Sequence, residues 1–129
     1  MEDNGNYKRD LGRLGEDLAC RYLESLGHTI LARNWRSGHL EIDIISIGMD
    51  GIHFVEVKAR RKNIQAAPQE NVGYKKQARI TKAATSFLKS REGVPYGSHE
   101  CSFDVVAVTF AGDEAKLEWI PQAYIPIYL

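Results

Sequence analysis

Two acidic residues interrupt a pair of apolar, β-branched segments, and this pattern limits the possible folds more than any other feature. The segments are Leu40–Ile47 (LEIDIISI) and Ile52–Lys58 (IHFVEVK), and their composition predicts two strands. The four residues between them, Gly48–Gly51, form a turn signal, so the strands are expected to pair as a hairpin. Asp43 and Glu56 lie between apolar neighbours inside these strands, where a carboxylate needs a partner or a metal because its desolvation is costly.

The register of this hairpin decides whether the two carboxylates meet. If the turn centres between Met49 and Asp50, Asp43 lies opposite Glu56, about 5 Å away and on the face of Lys58. A shift of two residues places Asp43 opposite Lys58 on that same face, whereas a shift of one separates the groups. The first register predicts a carboxylate pair with an ammonium group two residues along the strand.

Such a pair has two interpretations. Adjacent carboxylates repel each other unless a cation joins them, and a set of oxygen ligands suits Mg²⁺ or Mn²⁺ better than zinc. A metal held in this way binds phosphate oxygens and lowers the pKa of a bound water, while Lys58 orients that water or stabilises phosphate charge. The other interpretation is a salt bridge from Lys58 to Asp43 or Glu56, and the spacing alone does not exclude it.

The remaining sequence predicts an α/β domain with a mixed sheet flanked by helices, over a single unit of residues 1–129. Gly12 and Gly15 inside the first predicted helix indicate close packing there, because glycine is unfavourable in helices. The predicted order is a helix from Asp10, acting as cap, to Leu26; a short strand His28–Arg33; a loop Asn34–Gly38; the hairpin; a loop 59–72; a helix from about Asn71 to Arg91; a loop Glu92–Glu100; and strands Phe103–Phe110 and Lys116–Ile120.

Charge is distributed unevenly along the chain although the formal net charge is zero. Residues 57–91 contain ten basic residues and one acidic residue, a net charge of +9. This pattern is typical either of a solvated helix face or of a surface that binds phosphates. Net neutrality therefore does not exclude nucleic acid as a partner.

Two distant cysteines and a polar N-terminus predict a reduced, cytoplasmic protein that does not enter a membrane. The four histidines show no ligand spacing, so structural or surface roles are expected for them. Trp35 stands between two arginines, where it either stacks on a base or covers the edge of the core.

Six short motifs stand in order along the chain: Gly15-Glu16, Arg33-Asn34-x-Arg36, Glu41-Ile42-Asp43, Phe54-Val55-Glu56-Val57-Lys58-x-Arg60, Lys76…Arg79-Ile80 and Phe103-Asp104-Val105-Val106. In these motifs the sequence resembles the bacterial YraN family (UPF0102), which is similar to archaeal Holliday junction resolvases and to PD-(D/E)xK nucleases of restriction-endonuclease-like fold. The resemblance extends from about Leu11 to Phe110. The family usually has glycine before Glu-Ile-Asp, where this chain has Leu40.

The resemblance implies a restriction-endonuclease-like core and metal-dependent hydrolysis of DNA, with branched or structured DNA as the expected substrate. Asp43, Glu56 and Lys58 correspond to the catalytic triad, and Glu16 to a fourth acidic member. Mg²⁺ or Mn²⁺ would be held by Asp43, Glu56 and the backbone carbonyl of Val57. The nucleic-acid-binding residues expected from the basic segments are Arg33, Arg36, Arg60, Arg61, Lys75, Lys76 and Arg79, and which of Lys75, Lys76 or Gln77 reaches the phosphate is left open.

Two functions follow from this pattern. The first is a Mg²⁺-dependent endonuclease, for which a homodimer would match the two symmetric cuts of a four-way junction. The alternative is a non-catalytic nucleic-acid-binding or interaction module that retains a nuclease-like fold.

Overall fold

The computed structural model describes residues 4–62 and 72–125, with side chains from residue 9 onward. Within these ranges the chain forms two α-helices, five strands and a short 3₁₀ helix. Their bounds in chain order are α1 Asn4–Ser25, β1 Thr29–Ser37, β2 Leu40–Gly48, β3 Gly51–Arg61, α2 Tyr74–Lys89, the 3₁₀ helix Val94–Tyr96, β4 Cys101–Ala111 and β5 Glu114–Ile120.

The five strands lie in one mixed sheet in the order β1-β2-β3-β4-β5. Strands β3 and β4 pair in parallel across the connection that contains α2, and the neighbouring pairs are antiparallel. The predicted mixed sheet with flanking helices is therefore confirmed. The hairpin register is confirmed as well, since Gly48 pairs with Gly51 and Ile44 with Val55, as a turn centred between Met49 and Asp50 requires.

Each face of the sheet has its own apolar core. Beneath α2, Phe87 contacts both Phe54 and Trp35 edge-on, at ring-centroid distances of 6.2 and 5.3 Å. Beneath α1, Leu23 packs with Val55 and other aliphatic side chains of β2, β3 and β4. The sheet is thus the central layer between two helices, an α/β architecture with a nuclease-like core.

Gly15 of α1 explains how closely this helix approaches the sheet. A Cβ atom at Gly15 would lie 2.6 Å from the Cβ of Ala59, nearer than real Cβ atoms approach a neighbour. The close packing predicted for this glycine is confirmed. It is wrong for Gly12, where a Cβ would meet no atom within 4 Å.

Several predicted boundaries are wrong. Helix α1 begins at Asn4 rather than at Asp10, because polar residues extend a helix without needing a core contact. The spacing of apolar residues predicts an amphipathic α1, and of its apolar positions Ala19 and Leu23 are buried, whereas Leu14 and Leu26 are exposed.

The predicted loop Asn34–Gly38 is mostly strand, since β1 continues to Ser37 by pairing with β2. Its polar side chains lie on an edge strand, where burial is not required. β3 similarly extends to Arg61 by pairing with β4, where a loop was predicted from residue 59. Helix α2 begins at Tyr74; its predicted start at Asn71 and residues 63–71 of the predicted loop lie outside the described residues.

Candidate active site

Regular pairing between β2 and β3 ends next to Asp43. The paired residues extend from the turn to Ile44 and Val55. The next residue of β2, Asp43, instead accepts a hydrogen bond at its Oδ2 from the Val57 N–H, at 2.9 Å. Ile42 packs in the core beneath α2, whereas Ile44 packs in the core beneath α1. Strict alternation would place both isoleucines on one face, so the regular pleat of β2 is broken beside Asp43.

The two predicted carboxyl groups are in contact. Glu56 is only 8% exposed, and burial together with the neighbouring charge of Glu56 raises the pKa of Asp43 to about 8. The Val57 N–H opposes this shift, and a hydrogen bond between the two carboxyl groups adds to it. Two acids that share one partly buried space therefore favour holding a proton, or binding a cation, at neutral pH.

Glu16 of α1 reaches the same site through β1. Its Oε1 accepts a hydrogen bond from Asn34 Nδ2 at 3.0 Å and lies 3.6 Å from the Arg33 guanidinium. The charge of Glu16 adds to the raised pKa of Asp43, which shows that the two groups are electrostatic neighbours. Asn34 adopts a left-handed backbone with φ 51°, an interruption of β1 that asparagine tolerates well. The fourth acidic member expected from the resemblance thus lies beside the pair.

Lys76 supplies the cation that contacts Glu56. Its ammonium group forms an ion pair with Glu56 Oε1, and the lysine side chain itself is half exposed. Gln77, the other candidate at this end of α2, instead donates its side-chain amide to the Val72 carbonyl at 2.7 Å. Lys76 is therefore the α2 residue directed at the carboxylates, a choice that the sequence left open.

Lys58 is half buried on β3, two residues from Glu56 and on the same face of the strand. Beyond it, Arg60 is half buried and Arg61 exposed. On α2, Lys75 and Arg79 are exposed. By strand alternation Arg60 shares the face of Glu56 and Lys58, whereas Arg61 projects to the opposite face.

The arginines of β1 are paired with acidic groups. Arg33 Nη2 lies 2.8 Å from Asp17 Oδ1, and Arg36 Nη2 lies 3.2 Å from Glu41 Oε2. These two residues, expected to contact nucleic acid, therefore present partly neutralised charge. Trp35 between them packs edge-on against Phe87, so it covers the core.

The donor set suits the divalent metal that the resemblance implies. Asp43, Glu56 and Glu16 offer carboxylate oxygens, and the carbonyl of Val57 points to the same side of β3 as its N–H, which faces Asp43. Oxygen ligands with surplus negative charge are the preference of Mg²⁺ and Mn²⁺. Burial, and after it the charge of Glu56, raises the pKa of Asp43, and a bound cation would offset both effects.

Sequence reasoning missed a second polar cluster, formed by His28, Asp50 and His53 at the β2–β3 turn. Residues 28 and 53 are far apart in sequence, and the fold brings the end of α1 next to the turn. The nearest signal was Asp104, which belonged to a matched motif and is fully buried against His53.

The sheet, the two helices and the acidic cluster define an α/β protein with a nuclease-like core. The family model named "Uncharacterised protein family UPF0102" matches residues 15–108. The chain is 42% identical over 113 residues to a UPF0102 protein of Syntrophus aciditrophicus, covering 88% of this chain and 87% of the relative. A UPF0102 protein of Syntrophotalea carbinolica is 43% identical, covering 92% and 94% of the two chains, and one of Stutzerimonas stutzeri is 37% identical, covering 88% and 92%.

The chain therefore belongs to the UPF0102 family. The family name assigns no activity. Neither helix in the described ranges is long and apolar enough to cross a membrane.

Proposed function

We propose that the protein is a Mg²⁺- or Mn²⁺-dependent endonuclease of the PD-(D/E)xK type, which hydrolyses phosphodiester bonds of DNA. The observation that carries this proposal is the buried contact between Asp43 and Glu56; burial, together with the charge of Glu56, raises the pKa of Asp43 to about 8. Such a pair costs stability, and groups perturbed in this way concentrate at functional sites, where a metal ion relieves the repulsion. The spacing of Lys58 and the neighbouring Glu16 support the same assignment.

Asp43, Glu56 and the Val57 carbonyl would hold the metal. When bound, Mg²⁺ would polarise a phosphate oxygen and lower the pKa of a water. Hydrolysis adds the oxygen of that water to phosphorus and breaks one phosphorus–oxygen ester bond. The water's proton passes to solvent, and the departing oxygen is protonated in turn.

The chain's own cations would handle the remaining charge. Lys58, on the face of Glu56, would donate to the attacking water or to the phosphate oxygens. The ammonium of Lys76 now contacts Glu56, and its exposed stem allows it to move to a phosphate when a divalent ion neutralises the carboxylate. Lys76 would thus pair with Glu56 in the absence of metal and with a phosphate of the DNA when metal is bound.

The substrate proposal rests on charge and on the resemblance to junction resolvases. Lys75 and Arg79 are exposed cations of α2, the helix that brings Lys76 to Glu56, and such charges suit a DNA backbone. Branched DNA is the proposed substrate class, and a homodimer would supply the two cuts that a four-way junction needs.

The test is cleavage of labelled single-stranded, duplex, flap and four-way DNA with Mg²⁺, with Mn²⁺ and with a chelator. We expect metal-dependent cleavage that falls at least about 100-fold in Glu56→Gln and Lys58→Ala. Glu24→Gln is the matched control, since Glu24 is an exposed carboxylate two helical turns beyond Glu16 on α1. It should cleave as the wild type does.

Two outcomes would overturn the assignment. Cleavage that persists unchanged in Glu56→Gln and Lys58→Ala would place the activity elsewhere, in this protein or in a contaminant. No cleavage of any substrate, together with metal-independent DNA binding that Glu56→Gln leaves unchanged, would establish the non-catalytic binding module instead.

A further inference from the structure

A group of three potential ligand atoms lies at the opposite end of the β2–β3 hairpin from Asp43. His28 follows α1, Asp50 lies in the hairpin turn and His53 lies in β3. One ligand atom from each residue lies within 4.8 Å of those of the other two, and the imidazole centroids of the histidines are 4.5 Å apart. Along β3, His53 lies three residues, roughly 10 Å, from Glu56, and the two side chains project to opposite faces of the sheet. The cluster is thus separate from the acidic site.

Hydrogen bonds orient both imidazole rings from behind. His53 Nδ1 lies 2.6 Å from Asp104 Oδ2, and His28 Nδ1 lies 2.9 Å from Ser46 Oγ. An ionised carboxylate only accepts hydrogen bonds, so His53 Nδ1 carries a proton and donates it to Asp104. Each ring therefore presents its Nε2 to the shared space, as metal-binding histidines do when their other nitrogen is held by a carboxylate or hydroxyl.

The Asp104 carboxylate is itself held in place. It accepts hydrogen bonds from Ser102 Oγ, from the Gln122 N–H at 3.0 Å and from Trp119 Nε1 at 3.2 Å. Although burial opposes its ionisation, these contacts and His53 lower the pKa of Asp104. The negative charge behind His53 is therefore permanent at neutral pH, and it makes Nε2 a stronger electron donor.

Gly48 leaves the space between the ligand atoms open. A Cβ atom at this position would lie 2.9 Å from His28 Nε2 and 3.1 Å from Asp50 Oδ1. Asp50 Oδ1 in turn lies 2.8 Å from His53 Nε2. Two ligand atoms that share one metal at about 2.1 Å are roughly 3.0–3.4 Å apart, so small side-chain movements bring the three atoms to coordination distance.

Protons compete with a metal ion for the imidazole nitrogens of His28 and His53, and the pKa values of the two rings shift in opposite directions. Burial and the proximity of His53 lower the pKa of His28, so its imidazole is neutral at neutral pH, and Nε2 is the acceptor when Nδ1 donates its proton to Ser46 Oγ. Burial opposes charge on His53 as well, but Asp104 and Asp50 raise its pKa overall. A metal ion would replace the proton on His53 Nε2 as the cation between the two aspartates.

We propose that His28 Nε2, His53 Nε2 and the Asp50 carboxylate bind one divalent transition metal ion of the zinc class. Two imidazoles and one carboxylate are a zinc donor set, whereas Mg²⁺ prefers oxygen alone. Asp50 has 68% of its side chain exposed, so the fourth position of a tetrahedral ion opens to solvent. The ion would join the end of α1 to the hairpin turn, and through His53 and Asp104 to β4.

The test uses the full chain, stripped of metal and titrated with Zn²⁺ by calorimetry and with Co²⁺ by visible absorption. We expect one equivalent of Zn²⁺, and for Co²⁺ the intense visible bands of a four-coordinate ion, unaffected by millimolar Mg²⁺. Asp50→Asn should weaken Zn²⁺ binding at least tenfold. Gly48→Ala, which fills the space between the ligands without changing any of them, should abolish it.

Two controls separate this site from others. Asp113→Asn removes an equally exposed turn carboxylate between β4 and β5 and should bind Zn²⁺ as the wild type does. Glu56→Gln alters only the acidic site and should also retain the zinc equivalent. His28→Gln should lose it, and because Asp50 and Gly48 lie at the turn, the test stands even if the buried histidine variant fails to fold.

The proposal is overturned if no zinc equivalent binds, in which case the cluster is an imidazolium ion pair between Asp50 and Asp104. It is equally overturned if Asp50→Asn and Gly48→Ala bind Zn²⁺ with wild-type affinity. Both results are independent of DNA cleavage, so failure of the nuclease assignment leaves this test intact.

Discussion

Replacement of Asp43 by asparagine should reduce the loss of unfolding free energy that the wild type shows as the pH rises. The pKa of Asp43 is raised from 3.8 to about 8 in the folded protein. The folded state therefore binds a proton that the unfolded chain has already lost, and stability falls as the pH rises. The loss begins near the unfolded pKa and levels off above the folded pKa.

The magnitude follows from these two pKa values. Between pH 5 and pH 8 the shift of Asp43 removes roughly 3–4 kcal/mol of unfolding free energy. This figure is an upper value, because the exposed Lys76 ammonium can turn toward the pair as Asp43 ionises. It is nevertheless a large share of the 5–15 kcal/mol typical of a domain.

Asp43→Asn isolates this contribution. The asparagine oxygen still accepts the Val57 N–H, but the side chain no longer ionises. Groups remote from Asp43, such as His53, contribute equally in both proteins, so their contributions cancel in the difference. We expect the variant to gain on the wild type by up to about 3 kcal/mol as the pH rises from 5 to 8.

The assay is urea unfolding at pH 5, 6, 7 and 8 without divalent metal, followed by the fluorescence of the partly buried Trp35 and Trp119. Asp113→Asn, an exposed aspartate of the β4–β5 turn, is the control and should keep the wild-type pH profile. Added Mg²⁺ at pH 8 should stabilise the wild type and not Asp43→Asn. A wild-type-to-variant difference that stays constant from pH 5 to pH 8 would refute the carboxylate-pair reasoning.

Three further predictions concern packing and substrate binding. Gly15→Ala should lower the free energy of unfolding by about 1–3 kcal/mol in urea unfolding, because its methyl group collides with Ala59, whereas Gly12→Ala should raise it by up to about 1 kcal/mol. The opposite order of these two variants would contradict the packing of α1. Phe87→Ala should cost about 3–5 kcal/mol by the same measurement, since its ring contacts both sides of the aromatic core, and a loss under 1 kcal/mol would be incompatible with that burial. Arg79→Gln should weaken DNA binding and reduce the slope of log K against log salt by about one; an unchanged slope would show that α2 does not face the backbone.

The hairpin and its carboxylates could be predicted from sequence because their signals are local. Alternating β-branched residues around a four-residue turn left few registers, and the one centred between Met49 and Asp50 is the register of the structure. The interruption beside Asp43 could not be predicted, because it lies where β2 is flanked by β1 and β3 in the folded sheet, next to the left-handed Asn34 between the paired residues Arg33 and Trp35. For the same reason the polar residues 34–37 predict a loop, although β1 continues through them to Ser37 by pairing with β2.

The buried face of α1 could be predicted only in part. The apolar spacing includes Gly15, Ala19 and Leu23, which are buried, but also Leu14 and Leu26, which are exposed. Small residues let the helix approach β3 closely, and the larger leucines are left at the margin of that contact. Hydrophobicity alone therefore does not give the width of the buried face, while the cost of glycine in a helix points to the close approach at Gly15.

The two candidate sites use the same hairpin in chemically different ways, and this makes each a control for the other. Glu56 and His53 lie three residues apart on β3 and so project to opposite faces, one toward α2 and the other toward the end of α1. The first face offers only oxygen atoms near a lysine, and the second offers imidazole nitrogens backed by a buried aspartate. Ligand chemistry disfavours Mg²⁺ at the second face, because Mg²⁺ prefers oxygen ligands, and makes that face the tighter zinc site, because imidazole suits Zn²⁺. If Zn²⁺ bound more tightly at Glu56 than at His53, or if Mg²⁺ displaced Zn²⁺ from His53, this division by donor type would be wrong for both sites at once.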